Sequence, residues 1–351
     1  MGVLFVWGDA GPGAAEESAA APLPINPRLL ALKPGEVKAS TLQNFTRDFP
    51  ISHDIMVENT SDQSHVPWAH HGVAHSRASP YATHFVVSHL NEDIEPGHEG
   101  FSYRLEWSPS AVKPPTTQVV TFTAPSYLEY ISNHDDGTAT FLWFYLTPLD
   151  DNSTRVITHS VTTKGLGLPP LVQKLLAKRP AWLDHLVLNE VFDGDLPNLI
   201  KGAYHSKRGD SNGDQWAKTY YLPATADKAV LVMRKWYQGR GRGGFTAAEG
   251  RARAAPPEQL PREQLLDRLR QHTRQCKSCS KALSQLRSAQ PILKALAAAA
   301  LLAAAAALGA GWGLRAAAAP VVAAAAALWL SAKAAAWEAL FVFKNYNHAL
   351  H

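Results

Sequence analysis

Between about Thr83 and Thr163 the chain alternates apolar and polar positions in short β-branched and aromatic runs. These are "HFVVSHL", "FSYRLEW", "QVVTFTA", "SYLEYIS", "TATFLWFYLTPL" and "TRVITHSVTT", separated by Pro, Gly, Asn and Asp. A period of two places alternate side chains on opposite faces, so five or six antiparallel strands are expected. "NHDDGT" (133–138) suits a hairpin turn and "PLDDNST" (148–154) another connection. Past Thr163 the period lengthens to that of a helix, over 169–202 with a break at Pro180 and again over 225–238. Thr225 is the expected N-cap of the second helix, with Asp227 in its first turn, where the helix dipole favours an acid. A sheet followed by helices packed on one face is an α+β domain. Upstream, Val3–Trp7 reads as a strand, Gly11–Pro27 as a loop of small residues and proline, and 53–77 as short helical pieces limited by Pro67.

The pattern changes again after a basic, Pro- and Gly-rich linker (239–263). A helix "REQLLDRLRQHTRQCKSC" leads to an uncharged Ala- and Leu-rich run at 295–314, then Arg315, then a second uncharged run at 316–332. Twenty apolar residues are enough to cross a bilayer and seventeen are marginal, so two membrane spans are expected. Trp312, Trp329 and Trp337 fit interfacial anchors, and Lys277, Lys281, Arg287, Lys294 and Lys344 put both flanks on one side. The competing reading is a buried Ala-rich hairpin or a low-complexity product of GC-rich coding sequence. The expected division is 1–27 (a remnant strand and loop), 28–240 (the catalytic domain), 241–263 (linker), 264–290 (juxtamembrane helix) and 291–343 (two transmembrane helices).

Composition narrows the function classes. Of 351 residues 18% are charged and the net charge is +4, too little basic excess for a nucleic-acid surface. The two cysteines, Cys276 and Cys279 in "CKSC", cannot build a disulfide scaffold or by themselves fill a four-ligand metal site. Lys277, Arg274 and His272 are placed to lower a thiol pKa, as a dithiol switch addressed by thioredoxin requires; the alternative is two inert thiols on a helix. The N-terminal "MGVLFVWGDAGPG" lacks the basic region of a signal peptide.

The candidate chemistry lies in "MVENTSDQSHVPWAHHGVAHSR" (56–77), spaced Glu58-x3-Asp62-x2-His65-x4-His70. Two imidazoles at this separation can converge on one metal across an irregular helix, and a carboxylate from elsewhere completes a two-His-one-carboxylate face for Fe(II). Asp227, at the start of a helix after the sheet, is the expected third ligand. His71 and His75 could shift the pair, and zinc or plain surface histidines remain alternatives.

"ENTSDQSHVPWAHHG" resembles the mononuclear iron motif of Rieske-type oxygenases, especially the pheophorbide a oxygenase family and, more distantly, chlorophyllide a oxygenases. "HLVLNEVFDGDLPNL" resembles that family's H-x3-N-x-V-x-D-x-D segment, here His185, Asn189, Val191, Asp193 and Asp195. "RQCKSC", two C-terminal spans and "FKNYNHA" follow in the same order. The resemblance implies a helix-grip-like catalytic domain and a membrane-anchored monooxygenase acting on a chlorophyll-derived tetrapyrrole with O₂. It implies Fe(II) on His65, His70 and Asp227, Asp62 as the acid bridging to a neighbouring subunit's Rieske [2Fe–2S] cluster, and Glu58 and Asn59 as outer residues of the catalytic set. It also implies ferredoxin as electron donor, redox function at Cys276 and Cys279, an oligomer such as a trimer, and a thylakoid or inner-envelope location facing the stroma. The C-x-H and C-x2-H of a Rieske centre do not occur in these 351 residues. The expectation is therefore the catalytic part of a longer oxygenase, or a natural chain without a Rieske domain that borrows electrons or serves as a tetrapyrrole-binding or regulatory subunit.

Overall fold

The computed structural model describes residues 4–6, 10–33, 35–73, 76–78, 85–91, 94, 99–107, 116–165, 168–208, 216–239, 257 and 259–346. Its contacts form two compact units, one drawn from Met1–Arg179 and Glu190–Pro261, the other from Pro180–Asn189 and Arg262–Tyr346. Of the expected first strand, Leu4–Val6 form no strand, and Val3 and Trp7 lie outside the described residues, as does most of the linker.

The first unit is built on one seven-stranded antiparallel sheet, ordered β1-β7-β6-β5-β4-β3-β2. Its strands are β1 Ala39–Phe49, β2 Phe85–Asn91, β3 Gly100–Trp107, β4 Thr116–Thr123, β5 Tyr127–Asn133, β6 Ala139–Asp150 and β7 Ser153–Thr162. Six are the alternating runs read from the sequence; β1 is additional. Its inward positions Phe45, Arg47 and Phe49 are all buried, but a central arginine disguises the alternation. Arg47 is tolerated there because it pairs with Asp193 at 2.7 Å, both side chains fully buried. A buried pair of this kind contributes little net stability, yet removing one partner costs about 3–5 kcal/mol.

Helices α1 Ala14–Ala20, α2 Pro27–Leu30, α3 His53–Ser61, α4 Val66–Ala69, α5 Pro170–Ala177, α6 Ala181–Arg208, α7 Trp216–Thr219 and α8 Lys228–Gln238 accompany the sheet. The segment Gly11–Pro27 is thus not all loop: the Ala and Glu of "AAEESAA" favour a helix, with Glu16 and Glu17 in its first turn. The α+β architecture holds, with both faces of the sheet covered. On one face Tyr127, Ile131, Phe141, Trp143 and Tyr145 pack with Leu29 and Leu32, and the Tyr145 hydroxyl donates to the Pro24 carbonyl. On the other, α8 lies against β2, β3 and α3, with the Trp236 ring 5.4 Å from Phe122. Phe192 of α6 packs there on Phe45 and Phe49, at 5.8 and 4.8 Å between ring centres. Aromatic burial of this size is worth roughly 1.5–3 kcal/mol per side chain.

In the second unit α9 Arg262–Leu265 and a π-helical turn, Leu269–Thr273, precede α10 Lys277–Gly309 and α11 Gly313–Val342. The turn between the long helices falls at Ala310–Trp312, ahead of Arg315, because Gly311 and Gly313 supply φ values of +75° and +79°. The hairpin seam is lined by small residues a heptad apart, Ala297 and Ala304 against Ala317, Ala324 and Ser331. Leu302, Leu308, Val322 and Trp329 are exposed on the outside. By length and composition both helices are long and apolar enough to cross a membrane.

Candidate metal centre

His65 and His70 flank α4: the first is its N-cap residue and the second ends it, one short turn apart. Pro67 stands in the first turn of α4, where its missing amide costs no helical hydrogen bond. The two rings meet edge to face, 5.3 Å between centres. A single carboxylate oxygen faces both: Asp195 Oδ1 lies 3.6 Å from His65 Nε2 and 3.6 Å from His70 Nε2. The donor atoms of these three side chains all lie within 4.8 Å of one another.

Asp195 comes from α6. Two residues earlier on that helix, Asp193 turns to Arg47 on β1; residues i and i+2 sit on nearly opposite sides of a helix, so one acid faces the sheet and the other the imidazoles. Asn59 of α3 donates to Asp195 Oδ2 at 3.2 Å. This leaves Oδ1 buried and without a hydrogen-bond partner. At 3.6 Å the imidazole nitrogens are too far to satisfy it, and a buried carboxylate oxygen left in that state is costly. Two neutral imidazoles and one carboxylate around a common point suit a divalent cation with open positions, as in a facial triad. The residues fit such an ion.

Asp62 stands behind His65, its Oδ2 3.6 Å from Nδ1. Its Oδ1 accepts from the Ser64 amide and hydroxyl at 2.8 and 2.6 Å, which fixes the carboxylate. Burial alone would raise the Asp62 pKa, but the attraction of the neighbouring His65 ring and the hydrogen bonds from Ser64 outweigh it and the carboxyl is lowered. Burial likewise opposes the charged form of His65, yet Asp195 and Asp62 together raise its pKa. Tyr103 donates to the Ser61 carbonyl, and Gln63 donates to the Tyr130 hydroxyl at 2.8 Å, so two strands hold the α3–α4 connection.

The remaining expected residues fall elsewhere. Glu58 faces α8, accepting from Arg234, which also reaches Asp54 at 3.4 Å and the Tyr220 hydroxyl at 3.0 Å. Burial raises the Glu58 pKa against the pull of that guanidinium. Asp227 is not brought to the histidines. It is the N-cap residue of α8, and its Oδ2 accepts from the Ala224 amide at 2.7 Å, closing the turn that opens the helix. Asp195, present in a motif already visible in the sequence but without a role there, is the carboxylate that faces both histidines instead. His75 lies outside the described residues. Cys276 and Cys279 are free thiols in the second unit, packed with His185 and His272. Hydrogen bonds from Cys279, His185 and His272 lower the Cys276 pKa against its burial.

A two-His-one-carboxylate group on an α+β chain is a donor set suited to a mononuclear non-haem metal. Residues 122–216, which include Asp195, match the family model for pheophorbide a oxygenase. The chain is 28% identical to "Pheophorbide a oxygenase, chloroplastic" of Oryza sativa subsp. japonica, over 99% of this chain and 64% of that protein. It is also 28% identical to "Flavonoid 8-hydroxylase 2, chloroplastic" of Ocimum basilicum, over 72% of this chain and 47% of that one. Among solved structures, dicamba monooxygenase bound to 3,6-dichlorosalicylic acid is similar at 14% identity and a TM-score of 0.42, each chain covered to 65%. The resemblance to the pheophorbide a oxygenase family is thus met over residues 122–216 by the family model and over most of the chain by its relatives. The chain spans between 47% and 64% of the length of the curated relatives it matches.

Proposed function

We propose that this chain forms the catalytic part and membrane anchor of a non-haem iron oxygenase acting on a chlorophyll-derived tetrapyrrole. The observation that carries this reading is the buried, unsatisfied Asp195 Oδ1 facing both His65 and His70. His65, His70 and Asp195 would hold Fe(II), whose chemistry when bound is the activation of O₂. Asn59 orients the carboxylate, and Asp62, standing behind the His65 ring, is the acid through which electrons arrive. Those electrons come from a Rieske [2Fe–2S] cluster, in a longer form of this protein or a neighbouring subunit of an oligomer such as a trimer, with ferredoxin as its donor. The chloroplast relatives and the apolar hairpin support attachment to a plastid membrane, with the sheet domain on the stromal side. The near-complete coverage of this chain by the rice pheophorbide a oxygenase favours a tetrapyrrole over a flavonoid.

The test uses the detergent-solubilised protein loaded anaerobically with Fe(II), then given O₂, ferredoxin, its reductase and a Rieske-bearing partner. Consumption of pheophorbide a that depends on Asp195, with a flavone left intact, is the expected result. Turnover of the flavone alone overturns the substrate class. Retention of iron and tetrapyrrole without turnover of either points to a binding or regulatory subunit.

A further inference from the structure

In the second unit four metal-capable side chains converge from three stretches of chain: His185 near the start of α6, His272 on the π-helical turn, and Cys276 and Cys279 at the start of α10. His185 Nδ1 lies 3.3 Å from Cys276 Sγ and 3.4 Å from Cys279 Sγ, and His272 Nε2 lies 3.2 Å from Cys279 Sγ. The two rings stand nearly perpendicular, 5.0 Å apart. His185, His272 and Cys279 are buried and Cys276 is half-buried, so the group is closed.

We infer that His185, His272, Cys276 and Cys279 form a structural Cys2His2 site for a zinc-class divalent cation, separate from the centre at His65. The geometry is that of one ion. Zinc bound tetrahedrally, with bonds of about 2.0–2.1 Å to nitrogen and about 2.3 Å to sulfur, leaves neighbouring donors about 3.6 Å apart. The observed separations are a few tenths of an ångström shorter, as close as packed donors approach without the ion. A two-iron cluster is a poor fit, because its cysteine pair and histidine pair sit on different irons, whereas here each imidazole touches a thiol. Sequence spacing agrees: H-x3-C-x2-C gives three ligands within eight residues, a compact knuckle, and His185 closes it from 87 residues upstream of His272.

Binding is balanced as one cation entering and two protons leaving, since both thiols ionise while the imidazoles stay neutral. The site also answers a stability problem. The core here is small, with Leu186, Cys279, Ala282, Leu283 and Phe341 at its centre, and small cores are commonly stapled by metal. The ion would pin residues 180–189 and the π-helical turn to the base of the hairpin. A π-helical turn is rare, and here it aims His272 at Cys279.

The test is zinc content by mass spectrometry of the full chain in detergent, purified without chelators, in wild type, Cys279→Ser, His272→Asn and His65→Ala. About one zinc per chain is expected in wild type and His65→Ala, falling about ten-fold or more in the other two. Titrating the folded wild type with an organomercurial should release the zinc as two thiols react, and Co²⁺ exchanged into it should show a thiolate charge-transfer band; neither readout needs a variant to fold. A Cys276–Cys279 disulfide in the purified chain, two freely alkylated thiols with no zinc, or zinc lost in His65→Ala alone overturns the inference.

Discussion

Replacing Asp195 by Asn separates the metal centre read from the structure from the one expected at Asp227. The amide keeps the shape and the contact with Asn59 but removes the one carboxylate oxygen that lies 3.6 Å from both imidazoles. With Fe(II) at about 100 times its Kd, binding stabilises the folded chain by about 2.7 kcal/mol. For a domain of this size about 1 kcal/mol moves Tm by about 2–4 °C, so iron should raise the wild-type Tm by about 5–11 °C. Loss of a ligand that weakens binding about 100-fold leaves about 0.4 kcal/mol, a rise of about 1–2 °C. Without iron, the Asp195→Asn variant should melt no lower than wild type, because it loses a buried charge rather than a satisfied contact. Asp227→Asn should keep the full iron-dependent rise, since Asp227 Oδ2 bonds the Ala224 amide and not the histidines. The assay is anaerobic thermal denaturation with and without Fe(II), followed by fluorescence. A full rise in Asp195→Asn with none in Asp227→Asn would refute the assignment.

Two further outcomes follow from the packing. Arg47→Met alone should cost about 3–5 kcal/mol by taking the guanidinium away from the buried Asp193 carboxylate, while Arg47→Met with Asp193→Leu should recover most of it; equal losses in chemical denaturation would show that the pair does not act as a unit. His159 on β7 has an unbonded Nδ1, and burial pushes its pKa down to about 4, against about 6.5 in the unfolded chain. As pH falls from about 6.5 towards 4 the unfolded chain takes up a proton that the folded site refuses, so stability is lost in that window. The ring is partly reached by water, which reduces the ideal loss of about 3 kcal/mol to about 1. Relative to His159→Gln, the wild type should lose about this much in urea denaturation between pH 7 and pH 4.5; parallel curves would remove the argument.

What could be read from the chain alone was whatever rests on short-range periodicity. β2 to β7 announce themselves because strand side chains alternate, and the hairpin of α10 and α11 because an apolar run long enough for a bilayer needs no partner to be recognised. His65 and His70 were legible for the same reason, being neighbours whose spacing limits where their rings can go. β1 was hidden because its inward alternation passes through Arg47, and an arginine belongs in a core only where an acid such as Asp193 meets it. Asp195 stood in a visible motif, but helical spacing says only that Asp193 and Asp195 face opposite ways. Which of them meets the imidazoles depends on which side of α6 lies against the sheet. That is settled by the packing of Phe192 on Phe45 and Phe49, contacts between segments some 140 residues apart that no local pattern encodes. The Cys2His2 group is the same case: two cysteines were too few until the fold brought His185 and His272 to them.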